Sequence, residues 1–161
     1  MDRQPQRHPD MEKLASLVEQ TAIGMLTTLE PDGSLRSRPL VTVRLDSGGR
    51  LWFLTSISSP KVAEIDQHRQ VNVSYADPKA QSFVSVSGTT QILRDRERIR
   101  ELWTPEVEPW FPQGAEDPDL ALLAVTIESA EYWDAPSRGM VRILGPGPTS
   151  EHAKVTPRPH A

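Results

Sequence analysis

The sequence contains no cysteine among its 161 residues, which excludes disulfide bonds, thiolate metal sites and thiol catalysis. No apolar run approaches the roughly 20 residues that a membrane-spanning helix requires, and the polar first ten residues lack the apolar core of a secretory signal. The net charge of −4 is not the basic balance that is typical of nucleic-acid-binding proteins. We therefore expect a cytoplasmic protein that binds neither membrane nor nucleic acid.

Histidine is also scarce, which argues against a metal site. Three of the four histidines lie in the terminal segments, and the fourth, His68, stands alone at the end of a predicted helix, so no pair has metal-ligand spacing. No Gly-x-Ser-x-Gly elbow and no glycine-rich phosphate loop is present. Asp117 and Asp119 lie in a polar, proline-rich loop, where we interpret them as solvating rather than catalytic carboxylates.

The length suits one domain with two unstructured ends. Residues 1–10 are rich in Arg, Gln and Pro and are predicted to be a disordered lead. Residues 146–161 are rich in proline and have no periodicity, so we predict a disordered tail. The folded domain is expected to span residues 11–145.

Within that domain, short apolar runs alternate with turn signals. Glu30-Pro31-Asp32-Gly33, for example, has the turn chemistry that closes a hairpin. Because the strands follow one another without long helical crossovers, the pattern predicts a mainly β protein, an antiparallel β-barrel with small helices. The predicted strands are 23–29, 35–45, 51–55, 70–76, 82–93, 120–127, 130–134 and 140–144, and the predicted helices are 11–20, 60–68 and 96–102.

The second predicted strand, 35–45, carries two alternating faces. One face is formed by Leu35, Ser37, Pro39, Val41, Val43 and Leu45. The other face is formed by Arg36, Arg38, Leu40, Thr42 and Arg44.

Three segments have the composition of a phosphate site: Arg36-Ser37-Arg38-Pro39 on the second strand, Thr55-Ser56 after the third, and Ser59-Pro60-Lys61 at the start of a predicted helix. A helix N-terminus supplies free N–H groups and a favourable dipole. Serine and threonine hydroxyls add neutral donors, and Arg38 and Lys61 add positive charge. The alternative is that Ser59-Pro60 only caps a helix and that the arginines face water.

The four tryptophans suit either core packing or a cleft for a flat ring. Trp52 lies within a predicted strand and is expected in the core. Trp103 and Trp110 lie in the proline-rich loop 103–119, and Trp133 follows Tyr132 on a late strand. Packing is the simpler role for each of them when only the sequence is considered.

A series of short motifs runs in order from Leu14 to Leu144. In chain order they are Gly24-Met25-Leu26-Thr27-Thr28, Asp32-Gly33, Arg36-Ser37-Arg38-Pro39, Leu51-Trp52-Phe53-Leu54-Thr55-Ser56, Ser59-Pro60-Lys61, Val71-Asn72-Val73-Ser74-Tyr75-Ala76-Asp77-Pro78, Val84-Ser85-Val86-Ser87-Gly88, Trp110-Phe111-Pro112 and Glu131-Tyr132-Trp133-Asp134. The series resembles the general stress protein subfamily of the pyridoxamine 5′-phosphate oxidase-like, FMN-binding split-barrel superfamily.

The resemblance implies an FMN-type cofactor, with FAD as an alternative, held at the interface of a homodimer. It places the cofactor phosphate at Arg38, Ser59 and Lys61. Thr55 and Ser56 resemble residues that line the ribityl chain and the ring edge, and Trp133 and Trp110 resemble aromatics that approach from the partner chain. The residues expected to bind the cofactor are Arg36, Ser37, Arg38, Pro39, Leu40, Thr55, Ser56, Ser59, Lys61, Trp110 and Trp133.

Two departures from true pyridoxamine-phosphate oxidases argue against vitamin B6 oxidation. The region 135–140 lacks the histidine of their substrate-gripping Arg-x-His element, and Val43 stands where they carry a lysine. Three ligand-binding functions remain open: an FMN-dependent oxidoreductase acting on an unknown small molecule, a flavin-binding stress protein without turnover, and a deazaflavin-dependent reductase of the same fold. A purely structural module without a ligand is the alternative to all three. No catalytic residue can be named for any of them.

Overall fold

The computed structural model describes residues 9–59, 69–136, 139–144 and 156–157. The predicted helix 60–68 and most of the predicted disordered ends lie outside these residues and stay predictions. Helix α1 begins at Pro9, inside the segment predicted as a disordered lead. The helices are α1 (Pro9–Thr21), α2 (Arg96–Leu102) and a 3₁₀ helix (Pro105–Trp110), and the strands are β1 (Ile23–Leu29), β2 (Leu35–Leu45), β3 (Arg50–Ser56), β4 (Gln70–Asp77), β5 (Ser82–Leu93), β6 (Leu120–Asp134), β7 (Gly139–Leu144) and β8 (Thr156–Pro157).

The strands form a closed antiparallel barrel. Strand pairs run in the order β3-β2-β1-β4-β5-β6, and an additional β3–β6 pairing closes the ring of six. The segments predicted as two strands, 120–127 and 130–134, are one strand, β6, which pairs with β3 through its first part and with β7 through its last part. Strand β8, from the predicted tail, adds to the edge of β7. The predicted fold class is confirmed.

One hydrophobic core fills the barrel and continues into α1. Helix α1 contributes Leu14 and Val18, both fully buried, to the same cluster as Leu26, Phe53 and Val86 from the strands. Their spacing of four along a helix places them on one face, which the barrel covers. At about 1.5–3 kcal/mol for each fully buried aliphatic side chain, this packing accounts for much of what holds α1 in place.

A second cluster lies outside the barrel wall. Trp52 and Leu54 of β3 and Leu122 of β6 point outward and pack against Ile99 of α2 and Val107 of the 3₁₀ helix. Strands β3 and β6 are therefore buried on both faces over this region. That explains why β3 has a nearly continuous apolar sequence instead of an alternating one.

The alternation predicted for β2 is wrong beyond Thr42. Thr42 pairs with Phe53 but Arg44 pairs with Trp52, so Val43 is an extra residue in a β-bulge. The bulge inverts the faces that follow it. As a result Leu45 joins Leu40 in the interior core instead of lying on the opposite face. None of the helices in the described part of the chain is long and apolar enough to cross a membrane.

Candidate functional site

The barrel wall is split between β2 and β3. These two strands pair only from Thr42 and Phe53 toward the turn that connects them. Beyond that point residues 35–41 of β2 pair with β1, and residues 54–56 of β3 pair with β6. Pro39 fits here because a proline has no N–H to give to a second neighbouring strand. The split leaves a gap on the outer side of the wall.

A cleft of about 160 Å³ lies at this split, between the two strands and the end of the 3₁₀ helix. Most of its walls are apolar or aromatic, and two hydroxyl groups lie at one edge. This composition is typical of sites for small molecules. The lining residues are Ile23, Pro39, Leu40, Val41, Leu54, Thr55, Ser56, Trp110 and Phe111.

Thr55, which lines the cleft, carries an unsatisfied polar atom. Its side chain is buried, with 1% of its surface exposed, and its Oγ1 has no hydrogen-bond partner among the described residues. Leaving a buried hydroxyl unpaired costs about 1–3 kcal/mol. A ligand with a complementary polar atom would remove that cost, so this position favours a ligand over an empty cleft.

Ser56, the second hydroxyl, is tied to a carboxylate. The Ser56 hydroxyl donates to Asp119 Oδ2, and the Ser58 hydroxyl donates to the same oxygen at 2.9 Å. The Ser58 backbone N–H donates to Asp119 Oδ1 at 3.0 Å. These donated hydrogen bonds, the one from Ser56 above all, lower the pKa of Asp119.

Trp110 forms the outer rim of the cleft and is 53% exposed. The loop that follows it is tied down by α2, because Arg96 Nη1 donates to the carbonyls of Ala115 and Asp117 at 3.2 and 2.8 Å. Arg100 makes a bidentate ion pair with Glu116 at 2.7 and 2.9 Å, which lowers the pKa of Glu116. These contacts hold the loop that follows Trp110 against α2.

In the predicted basic segment, Pro39 lines the cleft, whereas Arg36, Ser37 and Arg38 do not. Arg38 is only 16% exposed, and its Nη2 lies 3.0 Å from Thr28 Oγ1 and 3.3 Å from Glu30 Oε1. The Ser37 hydroxyl is 2.6 Å from the Thr27 hydroxyl, and Arg36 is exposed. Since neighbouring side chains of a strand alternate, Arg38 and the cleft-lining Pro39 point to opposite faces.

The remaining predicted residues are spread out. Ser59 follows the Ser56 turn, where its N–H donates to the Ser56 carbonyl at 3.1 Å, and Lys61 lies outside the described residues. Trp133 pairs with Phe83 and Met140 at the far end of β6, whereas Ser56 faces Leu120 at its beginning. At 3.3 Å per residue, about 40 Å of strand separates Leu120 from Trp133. A single chain does not bring Trp133 to the cleft.

Four lining residues were not predicted: Ile23, Val41, Leu54 and Phe111. A signal existed for Val41, which shares a face with Pro39, and for Ile23, which pairs with Val41 across the β1–β2 hairpin. No local signal marked the other two, because the β3–β6 and loop packing that places them is long-range. Five predicted residues do meet in the cleft: Pro39, Leu40, Thr55, Ser56 and Trp110.

The described surface has a further concavity, away from the predicted site residues. No group of three or more metal-ligating side chains occurs in the described residues. A second concavity of about 550 Å³ lies over β1, β4 and β5 and contains none of the predicted site residues. It is lined by Thr27, Leu29, Leu35, Arg69, Gln70, Val71, Asn72 and Ser87.

The family model for pyridoxamine 5′-phosphate oxidase-like proteins matches residues 9–147. The chain therefore belongs to this family, as the resemblance in its sequence indicated.

Individual relatives agree with the family match. Protein bli-3 of Neurospora crassa is 30% identical over 129 residues, which cover 74% of this chain and 62% of bli-3. The chain thus spans less than two thirds of that relative's length. A Clostridium acetobutylicum protein related to general stress protein 26 of B. subtilis has a TM-score of 0.71 and 25% identity, covering 83% of this chain and 92% of its own. The general stress FMN/FAD binding protein of Xanthomonas citri has a TM-score of 0.65 and 28% identity, covering 90% and 95%.

Proposed function

We propose that this protein binds flavin mononucleotide in the β2–β3 cleft, as a homodimer, and uses it as an oxidoreductase on a small molecule. The observation that carries the proposal is Thr55, a buried residue that lines the cleft and whose hydroxyl has no partner among the described residues. Its chemistry fits a ligand with hydroxyl or ring heteroatoms. The flavin binding stated for the Xanthomonas citri relative supports the same ligand class.

The walls of the cleft suit a flat aromatic ring with a polar edge. Leu54 and Val41 provide apolar contact, and Trp110 offers an aromatic surface. The space of about 160 Å³ is smaller than the roughly 300–1,000 Å³ of sites that enclose a whole ligand. One chain therefore holds only part of a flavin nucleotide, and a second chain would complete the site.

The outer face of the sheet offers a surface for that second chain. Ile23, Met25 and Phe83 lie on the outer face of β1 and β5 and are each about 40% exposed. Trp133, which lies far from the cleft of its own chain, pairs with Phe83 and therefore lies on the same outer face. A grouping of exposed apolar side chains is typical of a protein interface. In a symmetric dimer each chain would offer its Trp133 to the partner's cleft.

The phosphate contacts predicted for Arg38, Ser59 and Lys61 belong to this proposal. Arg38 has Glu30 at 3.3 Å, so a phosphate would compete with that carboxylate for the guanidinium. A dianionic phosphate is the stronger partner of the two, because it offers more charge and more acceptor oxygens.

The oxidoreductase part of the proposal gives the protein a limited chemical role. No titratable side chain lines the described cleft, so proton transfer by the protein is not part of the proposal. A bound flavin would supply the hydride or electron chemistry, and the chain would orient the ring and exclude water.

The binding test is a fluorescence titration of FMN with the wild type and with Thr55→Val. Valine keeps the shape but removes the unpaired hydroxyl, so we expect FMN affinity to fall about 5- to 30-fold, corresponding to about 1–2 kcal/mol. The ligand-free protein should gain stability, because the cost of the unpaired hydroxyl is removed. Thr90→Val is the matched control, since Thr90 is also buried but donates to the Arg69 carbonyl at 3.1 Å away from the cleft. It should lose stability and keep FMN affinity. Equal FMN affinity in the wild type and Thr55→Val would contradict this site.

The same preparation separates the remaining functions. Anaerobic bleaching of bound FMN by NADH or NADPH is expected of the oxidoreductase, whereas a passive flavin-binding stress protein would bind FMN without sustained bleaching. Tighter binding of a deazaflavin than of FMN would favour the deazaflavin-dependent reductase and would contradict the cofactor proposed here.

A further inference from the structure

The Ser56 edge of the cleft is held by a carboxylate from a distant part of the chain. Asp119 immediately precedes β6, whose first residue, Leu120, pairs with Ser56. Its carboxylate receives the hydroxyls of Ser56 and Ser58 and the Ser58 N–H. Its own N–H donates to Asp117 Oδ1 at 2.9 Å, and its carbonyl accepts the Ile57 N–H at 2.7 Å. These hydrogen bonds fix Asp119 to residues 56–58, which follow β3, and to Asp117 in its own loop.

This arrangement decides which hydrogen atoms remain for a ligand. An ionised carboxylate accepts hydrogen bonds only, and a serine hydroxyl has one hydrogen to donate. Ser56 lines the cleft, and its hydroxyl oxygen lies 3.0 Å from that of Ser58. Because both hydroxyls donate to Asp119, the Ser56 oxygen offers only its lone pairs. The neighbouring Thr55 hydroxyl has no partner among the described residues, so its hydrogen remains available.

We infer that Asp119 is a specificity-determining residue. By accepting the Ser56 hydrogen, it leaves the Ser56 edge of the cleft as a hydrogen-bond acceptor, and its own negative charge lies next to that edge. This edge takes an uncharged, hydrogen-donating part of the flavin, a ring N–H or a ribityl hydroxyl, and turns the phosphate away. The inference rests on the proposed flavin binding and deepens it. It agrees with the resemblance, which places Ser56 along the ribityl chain and the ring edge, and it departs from the composition-based expectation that the Ser56 hydroxyl donates to the phosphate.

Asp119→Asn tests the inference through the ratio of two affinities. Riboflavin has the ring and ribityl chain of FMN without the phosphate, so the ratio of the two dissociation constants isolates the effect on the phosphate. In Asp119→Asn the negative charge is lost, and the amide N–H₂ donates to the serines and releases their hydrogens. We expect the ratio to shift about fivefold or more in favour of FMN. A purely structural role for Asp119 would weaken both ligands equally and leave the ratio unchanged.

Asp32→Asn is the matched control. Asp32 also accepts a serine N–H and hydroxyl, from Ser34 at 2.9 and 2.6 Å, but it lies in the β1–β2 turn and does not line the cleft. Its ratio of dissociation constants should equal that of the wild type. A shift of the same size in Asp32→Asn would overturn the inference, because a general charge effect would then explain both variants.

Ser56→Ala gives a second and independent measurement, which decides the matter even if Asp119→Asn does not fold. Loss of an acceptor for the uncharged part should weaken FMN and riboflavin by the same factor, about fivefold. A loss confined to FMN would show that Ser56 donates to the phosphate, and no loss for either flavin would show that it contacts neither. Both results overturn the inference. A wild-type protein that binds neither flavin overturns the proposed function itself, whereas wild-type binding with an unchanged ratio in Asp119→Asn overturns this inference alone.

Discussion

The outer surface of the barrel has two parts that are built differently. Over β3 and the first part of β6, α2 and the 3₁₀ helix cover Trp52 and Leu122 almost completely. Over β1, β4 and β5, no helix of the described residues covers the sheet, and Ile23, Met25 and Phe83 keep 41, 39 and 41% of their surface exposed. We call these the covered part and the uncovered part.

The difference separates stability from assembly. The covered part adds a second hydrophobic cluster to the barrel core, and burial of apolar surface is the main stabilising contribution in folding. The uncovered part leaves apolar side chains partly exposed, beside half-buried polar ones such as Ser74 and Ser85. The cleft lies on the border, with Ile23 and Pro39 from one side and Leu54 from the other. Ligand binding, on the proposal above, depends on both parts.

The largest effect is expected from a cavity in the covered part. Leu122 of β6 is fully buried and packs in the cluster that α2 covers. Leu122→Ala should lower the free energy of unfolding by about 2–5 kcal/mol, because it removes buried methyl groups and leaves a cavity. Urea denaturation followed by tryptophan fluorescence measures the change. A loss below about 1 kcal/mol would mean that the cover contributes little to stability.

A smaller effect is expected from the cap of the covering helix. The Asp95 side chain accepts the Arg98 N–H at 3.2 Å at the start of α2. Asp95→Ala should cost about 1 kcal/mol, as is typical for the loss of an N-cap side chain. Asp95→Asn, which keeps an accepting oxygen, is the control and should restore most of the loss. Equal unfolding free energies for wild type and Asp95→Ala would show that packing alone holds α2.

The sequence predicted elements of both parts where the signals are local, and it failed where the structure depends on pairing. Strands β1, β2 and β5 have the predicted bounds, and α2 with its Asp95 cap was predicted as well, because period-two alternation, turn residues and capping residues are local signals. The interior position of Leu45 was not predicted, since an alternating pattern gives no sign of the bulge at Val43.

The candidate site was also predicted only in part, because some of its residues carry local signals and others are placed by long-range contacts. Thr55 and Ser56 carry a local signal, the hydroxyl-rich end of a strand. Asp119 was interpreted as a solvating residue, because its contact with Ser56 spans 63 residues of sequence and exists only through the β3–β6 pairing. Phe111 has the same limit: it lies in a proline-rich loop with no local sign of burial, and it packs against Trp103 with ring centroids 6.5 Å apart.

The smallest effect on stability is expected in the uncovered part, where the change should appear in assembly. Phe83 is 41% exposed, so Phe83→Lys should alter the unfolding free energy of the single chain by no more than about 0.5 kcal/mol. If the uncovered part is the dimer interface, a lysine there must be desolvated against an apolar partner, and the mass in solution should halve. Light scattering after size-exclusion chromatography, at several protein concentrations, measures this mass.

Gln91→Lys, at an exposed position near the other end of the same strand, is the control and should leave the mass unchanged. A wild-type protein with the mass of one chain, or a Phe83→Lys variant that remains a dimer, would mean that the exposed apolar side chains around Phe83 do not hold two chains together.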